Sequence, residues 1–266
     1  MTVIEAPTDP RLDDYRNVPD PELLQRRGIF VAEGRLVVRR LLRESRYTVL
    51  SVMVTESAHA ALADVLRARP DVPVYVVPSS LMNDITGFNI HRGCLAAGER
   101  PAASRWQDSV AQTRTVIVLE RMANADNVGG IFRNAAAFGA GAVLLDEAST
   151  DPLYRKAIRT SMGASLLVPF ARAEPWPAVL QELRTAGFAT VAMTPSSSAS
   201  TIRSIVDAVG ARPVALALGH EGEGLTAAAL EACEYRARIP MVSTVDSLNV
   251  AAAAAIALYE LGRGVV

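Results

Sequence analysis

Two cysteines in 266 residues, Cys94 and Cys233, exclude a disulfide framework, and their spacing makes no redox or metal-binding motif. The three histidines (His59, His91, His220) are scattered, so a zinc site is not expected and no metal is assigned. No apolar run is long and uninterrupted enough to span a bilayer. The first residues are acidic and carry no basic segment followed by an apolar one, so a secretion signal is not expected. Cytoplasmic localisation without a membrane partner is therefore the default. Lysine is nearly missing too: of 27 basic residues only Lys156 is not arginine. A GC-rich genome gives that bias, but the planar guanidinium also suits bidentate contact with phosphate.

What is present is a composition able to bury a core, with half of the residues hydrophobic. The net charge of −1 hides an uneven distribution. Residues 1–22 carry two arginines against six acids, whereas residues 23–105 carry twelve arginines against seven acids. A basic module on a nearly neutral body points to a polyanion partner, with a solvated arginine-rich surface as the plainer alternative.

Taken in order, residues 1–22 are rich in Pro and Asp without periodicity and read as an extended arm. Helical spacing follows, with Leu23, Leu24, Leu36, Val37, Leu41 and Leu42 recurring on one face. Strands are expected at 49–54, 72–77 and 94–97, and helices at 58–68 and 79–84. Residues 23–105 thus form a small α/β domain. The loop 87–93 mixes glycine, an aromatic and basic residues, a composition able to approach nucleic acid. A polar, irregular stretch at 101–109 marks the boundary.

In 106–266 strands and helices alternate regularly, the pattern of a parallel-sheet α/β domain. Strands are expected at 116–119, 142–145, 166–169, 190–193, 214–218 and 235–239. Helices are expected at 128–138, 154–162, 176–185 and 226–232. The last element begins after a polar loop opened by Pro240 and closed by Asp246, Ser247 and Asn249. It is a helix without charge between Leu248 and Tyr259, and so needs a core or a subunit contact to cover it.

Three stretches can carry chemistry. Asn127-Val-Gly-Gly-Ile-Phe-Arg133 opens a helix, with Asn127 suited to cap it and Gly129 one turn before Arg133. That spacing leaves an anion-friendly space beside the guanidinium, or merely a surface arginine on an amphipathic helix. Leu218-Gly-His-Glu-Gly-Glu-Gly-Leu225 follows the most apolar strand, where glycines let backbone approach a ligand or simply make a flexible turn. It lacks the dinucleotide fingerprint and the lysine of a phosphate loop, and Glu221 and Glu223 would repel phosphates. The third is the polar loop before the last helix.

In this order the three stretches resemble the SpoU (TrmH-type) RNA 2′-O-ribose methyltransferases of the SPOUT superfamily. The matching residues are Asn127, Gly129 and Arg133; Arg159, Ser161 and Gly163; Leu218, Gly219, Glu221, Gly222, Gly224 and Leu225; and Ile239-Pro240-Met241 with Ser247-Leu248-Asn249-Val250. The match covers about residues 115–262. His220, Asp246 and Ala251 depart from the residues common in the family, without removing a catalytic one. More loosely, Phe30-Val-Ala-Glu33-Gly34 and the rest of 23–100 resemble the small RNA-binding domain related to kink-turn-binding ribosomal proteins.

The resemblance implies a C-terminal trefoil knot, a homodimer and bound S-adenosylmethionine. Carried over, Thr194, Leu218, Gly219, Ile239, Met241 and Leu248 would hold the cofactor. Arg133, Asn127, Glu221, Ser247 and Asn249 would form the catalytic set, with Ser247 and Asn249 orienting the arginine. Arg26, Arg27, Arg39 and Arg92 would contact RNA phosphates, while Arg155, Lys156 and Arg159 would lie nearer the reacting nucleotide. The implied reaction is 2′-O-methylation of structured RNA, and the extra domain favours ribosomal over transfer RNA. A catalytically silent RNA-binding relative and a small-molecule dinucleotide enzyme are the rival readings.

Overall fold

Runs of small and β-branched apolar residues make the strands of this chain, and the helices between them bury one face each. The computed structural model describes residues 1–16, 19–87, 90, 93–242 and 247–262. They divide into two units, one of Met1–Ala102 with Asp151–Leu167, the other of Ala103–Thr150 with Val168–Val266.

The first unit runs β1 (Thr2–Val3), α1 (Asp20–Arg26), β2 (Ile29–Glu33), α2 (Arg35–Arg43), β3 (Val49–Val54), α3 (Glu56–Arg67), β4 (Val74–Val76), α4 (Ser79–Thr86) and β5 (Cys94–Glu99). Its sheet has the order β1-β4-β3-β5-β2, with β5 antiparallel to both neighbours. The N-terminal segment is not the extended arm expected. β1 pairs with β4, and a 3-10 turn at Pro10–Tyr15 buries Leu12 and Tyr15 in the core. The Tyr15 hydroxyl lies 2.7 Å from Ser51 Oγ, and burial pushes its pKa up. A few apolar anchors among acidic residues suffice to dock a segment with no visible period. On α2 the buried face is Val37, Val38, Leu41 and Leu42, while Leu36 is exposed.

The second unit contains α5 (Trp106–Val110), β6 (Thr115–Leu119), α6 (Ala125–Phe138) and β7 (Ala142–Leu145). After the excursion to α7 (Arg155–Thr160) come β8 (Phe170–Arg172), α8 (Ala178–Thr185), β9 (Ala189–Met193), β10 (Ser200–Thr201) and α9 (Ile202–Val209). β11 (Val214–Leu218), α10 (Ala227–Ala232), β12 (Tyr235–Arg238) and α11 (Val250–Gly262) complete it. Its seven strands are all parallel, in the order β10-β12-β9-β11-β6-β7-β8. The expected strand at 166–169 is replaced by a 3-10 turn at Ala164–Leu166, and β8 starts only after Pro169, which has no N–H to give a ladder.

Residues 151–167, expected with the C-terminal domain, group with the first unit. There the backbone N–H of Arg155 donates to Asp20, and Arg40 donates to the carbonyl of Met162 at 2.9 Å. The all-apolar C-terminal helix is covered on one side only. Ala254, Ala257 and Leu258 of α11 are buried, while Ile256 and Tyr259 are exposed. α11 packs closely on α6: a Cβ on Gly130 would lie 2.9 Å from that of Ala251, and Asn134 donates to the Ala251 carbonyl at 2.7 Å.

Candidate functional site

Four apolar strands of the second unit end in turns that converge on one site. β6 reads Thr-Val-Ile-Val-Leu and is followed by Glu120; β7 reads Ala-Val-Leu-Leu and is followed by Asp146. Both carboxylates are buried and fully used. Glu120 accepts from the Trp176 indole at 2.6 Å, and from the backbone and hydroxyl of Thr226 at 2.7 Å each. Thr226 in turn caps α10, its hydroxyl accepting from Ala229 N–H. Glu120 thereby fixes the downstream end of the glycine-rich stretch. Asp146 accepts from the backbone N–H of Arg121 through both oxygens, at 3.0 Å, and from the N–H and hydroxyl of Ser149. None of these residues was singled out from the sequence. The signal available was an acid terminating an otherwise apolar strand, because a buried carboxylate must find donors.

The glycine-rich loop is wound tightly rather than loose. Gly224 N–H donates to the His220 carbonyl at 2.8 Å, and His220 Nδ1 accepts from Gly222 N–H at 3.1 Å. A Cβ on Gly219 would collide with the backbone of Gly224 and Leu225, so no other residue fits there. This loop, the turn after β9 and the segments around β12 and the start of α11 enclose a cavity of about 520 Å³. Thr194, Leu218, Gly219, Ile239, Met241 and Leu248, the six residues expected around a cofactor, all line it. Glu221 and Ser247 line it as well. Its walls mix apolar and polar groups, and its only charged lining residues among those described are Glu221 and Glu223.

Asn127 and Asn249 meet directly, Asn249 Nδ2 donating to Asn127 Oδ1 at 2.9 Å. Asn249 Oδ1 also accepts from Ala251 N–H and so caps α11. Two expectations need correction here. Asn127 is not the helix cap: Asn124 holds that place, accepting from Asp126 N–H, so the helix starts earlier and Asn127 is buried in its first turn. Arg133 is consequently two turns inside α6 and away from its positive end. Asn249 is bonded to Asn127 and to the start of α11, and no bond from it to Arg133 is seen among the described residues. Arg133 itself is exposed and is not in the cavity wall. Gly129 is buried rather than open beside it. The Nδ2 group of Asn127 is buried without a partner among the described residues, a donor left for an acceptor.

The residues expected to meet RNA divide differently. Arg26 is exposed and without an ion pair among the described residues. Arg27 pairs with Asp14, and Arg39 pairs with Asp64 while donating to the Ala61 carbonyl. Lys156 is exposed, and Arg159 lies 3.8 Å from the buried Glu33. Together with Arg155 they belong to the first unit. Arg92 and Asp246 lie outside the described residues. No group of three or more His, Cys, Asp or Glu among the described residues could hold a metal ion, and no helix among them is long and apolar enough to cross a membrane.

Comparison with known proteins agrees with this architecture. Residues 114–259 match the SpoU rRNA Methylase family. The chain is 45% identical over 261 residues to an uncharacterized tRNA/rRNA methyltransferase of Mycobacterium tuberculosis, covering 97% of this chain and 90% of that protein. The AdoMet-bound rRNA methyltransferase of Sinorhizobium meliloti superposes with a TM-score of 0.83 at 26% identity, over 100% of this chain and 98% of that one. A solved RNA 2′-O ribose methyltransferase superposes at 0.79 with 25% identity, over 99% of each chain. With the asparagine pair, the wound glycine loop and the cavity all falling inside the matched region, the chain belongs to the SpoU family of RNA methyltransferases, in the SPOUT superfamily.

Proposed function

We propose that the protein methylates a ribose 2′-hydroxyl of structured RNA, using S-adenosylmethionine held in the cavity of the second unit. The observation that carries this reading is the cavity's chemistry. Apolar walls from Leu218, Leu230, Ile239 and Leu248 suit an adenine ring, and strand-end backbone supplies hydrogen bonds to its edge. Of the two wall carboxylates Glu223 is paired with Arg121, while Glu221 has no ion pair among the described residues; that single uncompensated charge disfavours a phosphate-bearing ligand and favours one with positive sulfonium and ammonium groups. Relatives in the same family include one bound to AdoMet and one described as a 2′-O ribose methyltransferase.

When bound, the cofactor supplies a methyl group activated by its sulfonium. The chain's own residues must then align the ribose oxygen with that methyl and stabilise negative charge as the hydroxyl proton leaves. A guanidinium is not a conventional general base, so the role of Arg133 is electrostatic: it contacts the ribose oxygen or the adjoining phosphate. The Asn127–Asn249 bond fixes the first turn of α6, which carries Arg133 two turns on. Glu221 and Ser247 act from the cavity wall, Glu221 by holding the loop.

The first unit is the RNA-binding domain in this reading, with Arg26, Arg27, Arg39, Arg92, Arg155, Lys156 and Arg159 as its phosphate contacts. Its presence in the same chain as the methyltransferase unit favours ribosomal over transfer RNA as substrate. A second copy of the chain would cover the exposed Ile256, Tyr259 and Phe138, where the Phe138 and Tyr259 rings already meet edge to face at 6.2 Å. A trefoil knot in the C-terminal part and a cytoplasmic location complete the proposal. A silent RNA-binding relative is disfavoured because Arg133, Asn127, Glu221, Ser247 and Asn249 are all present.

The test is methyl transfer from labelled S-adenosylmethionine to separated, unmodified ribosomal and transfer RNA. Base-stable label in ribosomal RNA, absent with Arg133→Ala, is expected. Label in transfer RNA alone would reverse the substrate preference, and failure to bind the cofactor would sink the enzyme reading.

A further inference from the structure

Arg121 stands immediately after the buried Glu120, and its backbone is left-handed, with φ of 54°. That region suits glycine and strains any residue with a Cβ. The strain is held in place from below: both oxygens of the buried Asp146 take the Arg121 N–H at 3.0 Å. Ser149 Oγ takes the next N–H, that of Met122, at 2.9 Å, and Arg172 clamps the carbonyls of Asp146 and Ser149. So much support for a turn that glycine would adopt freely asks what the side chain does. Its guanidinium pairs with Glu223 at 2.6 Å, in the glycine-rich loop that lines the cavity.

We infer that Arg121 is a positioning residue that latches the glycine-rich loop over the cavity through Glu223. The loop is then held at two points by neighbouring residues. Glu120 fixes Thr226 where the loop joins α10, and Arg121 fixes Glu223 near its tip. The first attachment is buried and permanent. The second is exposed, 41% on the arginine and 66% on the glutamate, and can open. The His220 ring supports the same tip by accepting from Gly222 N–H. Closing the latch also neutralises Glu223, leaving Glu221 as the uncompensated carboxylate of the cavity wall. In its ligand this inference rests on the S-adenosylmethionine reading; in its motion it does not.

The experiment compares wild type, Arg121→Gly, Glu223→Gln and the exchanged pair Arg121→Glu with Glu223→Arg. Two quantities are read: amide hydrogen exchange at Gly222 and Gly224 in the cofactor-free protein, and calorimetric binding of S-adenosylmethionine. An exposed ion pair supports changes of about two- to five-fold. Exchange should quicken and binding weaken by that factor in each single variant at low salt, and the exchanged pair should recover most of both. At about 1 M salt the differences should vanish. Arg121→Gly should melt no lower than wild type, since glycine relieves the strain; that separates loss of the latch from general destabilisation. Identical exchange in all four proteins, or no recovery in the exchanged pair, overturns the latch. If wild type binds no S-adenosylmethionine, the functional reading fails, while the exchange rates still decide whether the latch exists.

Discussion

In the first unit Arg27, Arg39 and Arg43 hold acids of the same unit, Asp14 for the first and Asp64 for the other two, and Arg40 holds the carbonyl of Met162. In the second unit Arg133 is exposed and has no ion pair among the described residues. The sequence presents these arginines alike, each on an amphipathic helix or, for Arg27, at the end of one. The difference is one of prior commitment. A guanidinium already bonded within its fold must surrender that bond to meet a ligand, while an uncommitted one brings its full charge. The excess of arginine in residues 23–105 therefore overstates the cations available to RNA.

Arg133→Ala should reduce methyl transfer about 10²- to 10³-fold, the loss typical of one charge-stabilising donor, with cofactor affinity unchanged. Arg133→Lys should lose nearly as much, because the planar fork is gone. A lysine variant close to wild-type turnover would contradict the proposed role.

Next in size comes the buried acid that serves as scaffold. Glu120→Ala strands the Trp176 indole and the Thr226 N–H, and should lower stability by about 3 kcal/mol in urea denaturation. Smaller is the RNA effect expected on the first unit. Arg26→Ala should reduce the slope of log affinity against log salt by nearly 1 without moving the melting temperature. Arg39→Ala should change that slope less; equal changes would show that ion pairing within the fold does not withhold an arginine from RNA.

The finest test is a titration. The Arg39 hydrogen bond, and the charges of Arg39 and Arg43, hold Asp64 at about 2, below its ordinary 3.8. A carboxylate lowered on folding contributes stability that is complete above 3.8 and lost as pH falls through about 2. The Asp64 carboxyl resonance in wild type should therefore titrate near 2 and move towards 3.8 in Arg39→Ala. A midpoint already near 3.8 in wild type would mean that the pair does not persist in solution.

The alternation of β6, α6, β7, β11 and β12 could be read from the sequence because each element is a clean apolar run bounded by glycine or polar residues. The lining of the cavity was reachable only through motif resemblance, since nothing in the spacing of Thr194, Leu218 and Ile239 says that their strand ends are neighbours. The docking of residues 1–16 was hidden because Ile4, Leu12 and Tyr15 have no period and are outnumbered by polar residues. The grouping of α7 with the first unit was hidden for another reason. It depends on contacts such as Arg155 with Asp20, separated by 135 positions, which no local pattern encodes. Glu120 and Asp146 do carry a local clue, since each is an acid closing an apolar strand.

The Asn127–Asn249 hydrogen bond joins positions 122 apart, and its second member belongs to the cap of the last helix. On the ribosome, residues 115–238 supply every strand of the parallel sheet before Asn249 has been made. A chain cut short after β12 would therefore retain its strands and lack the α11 side of the site.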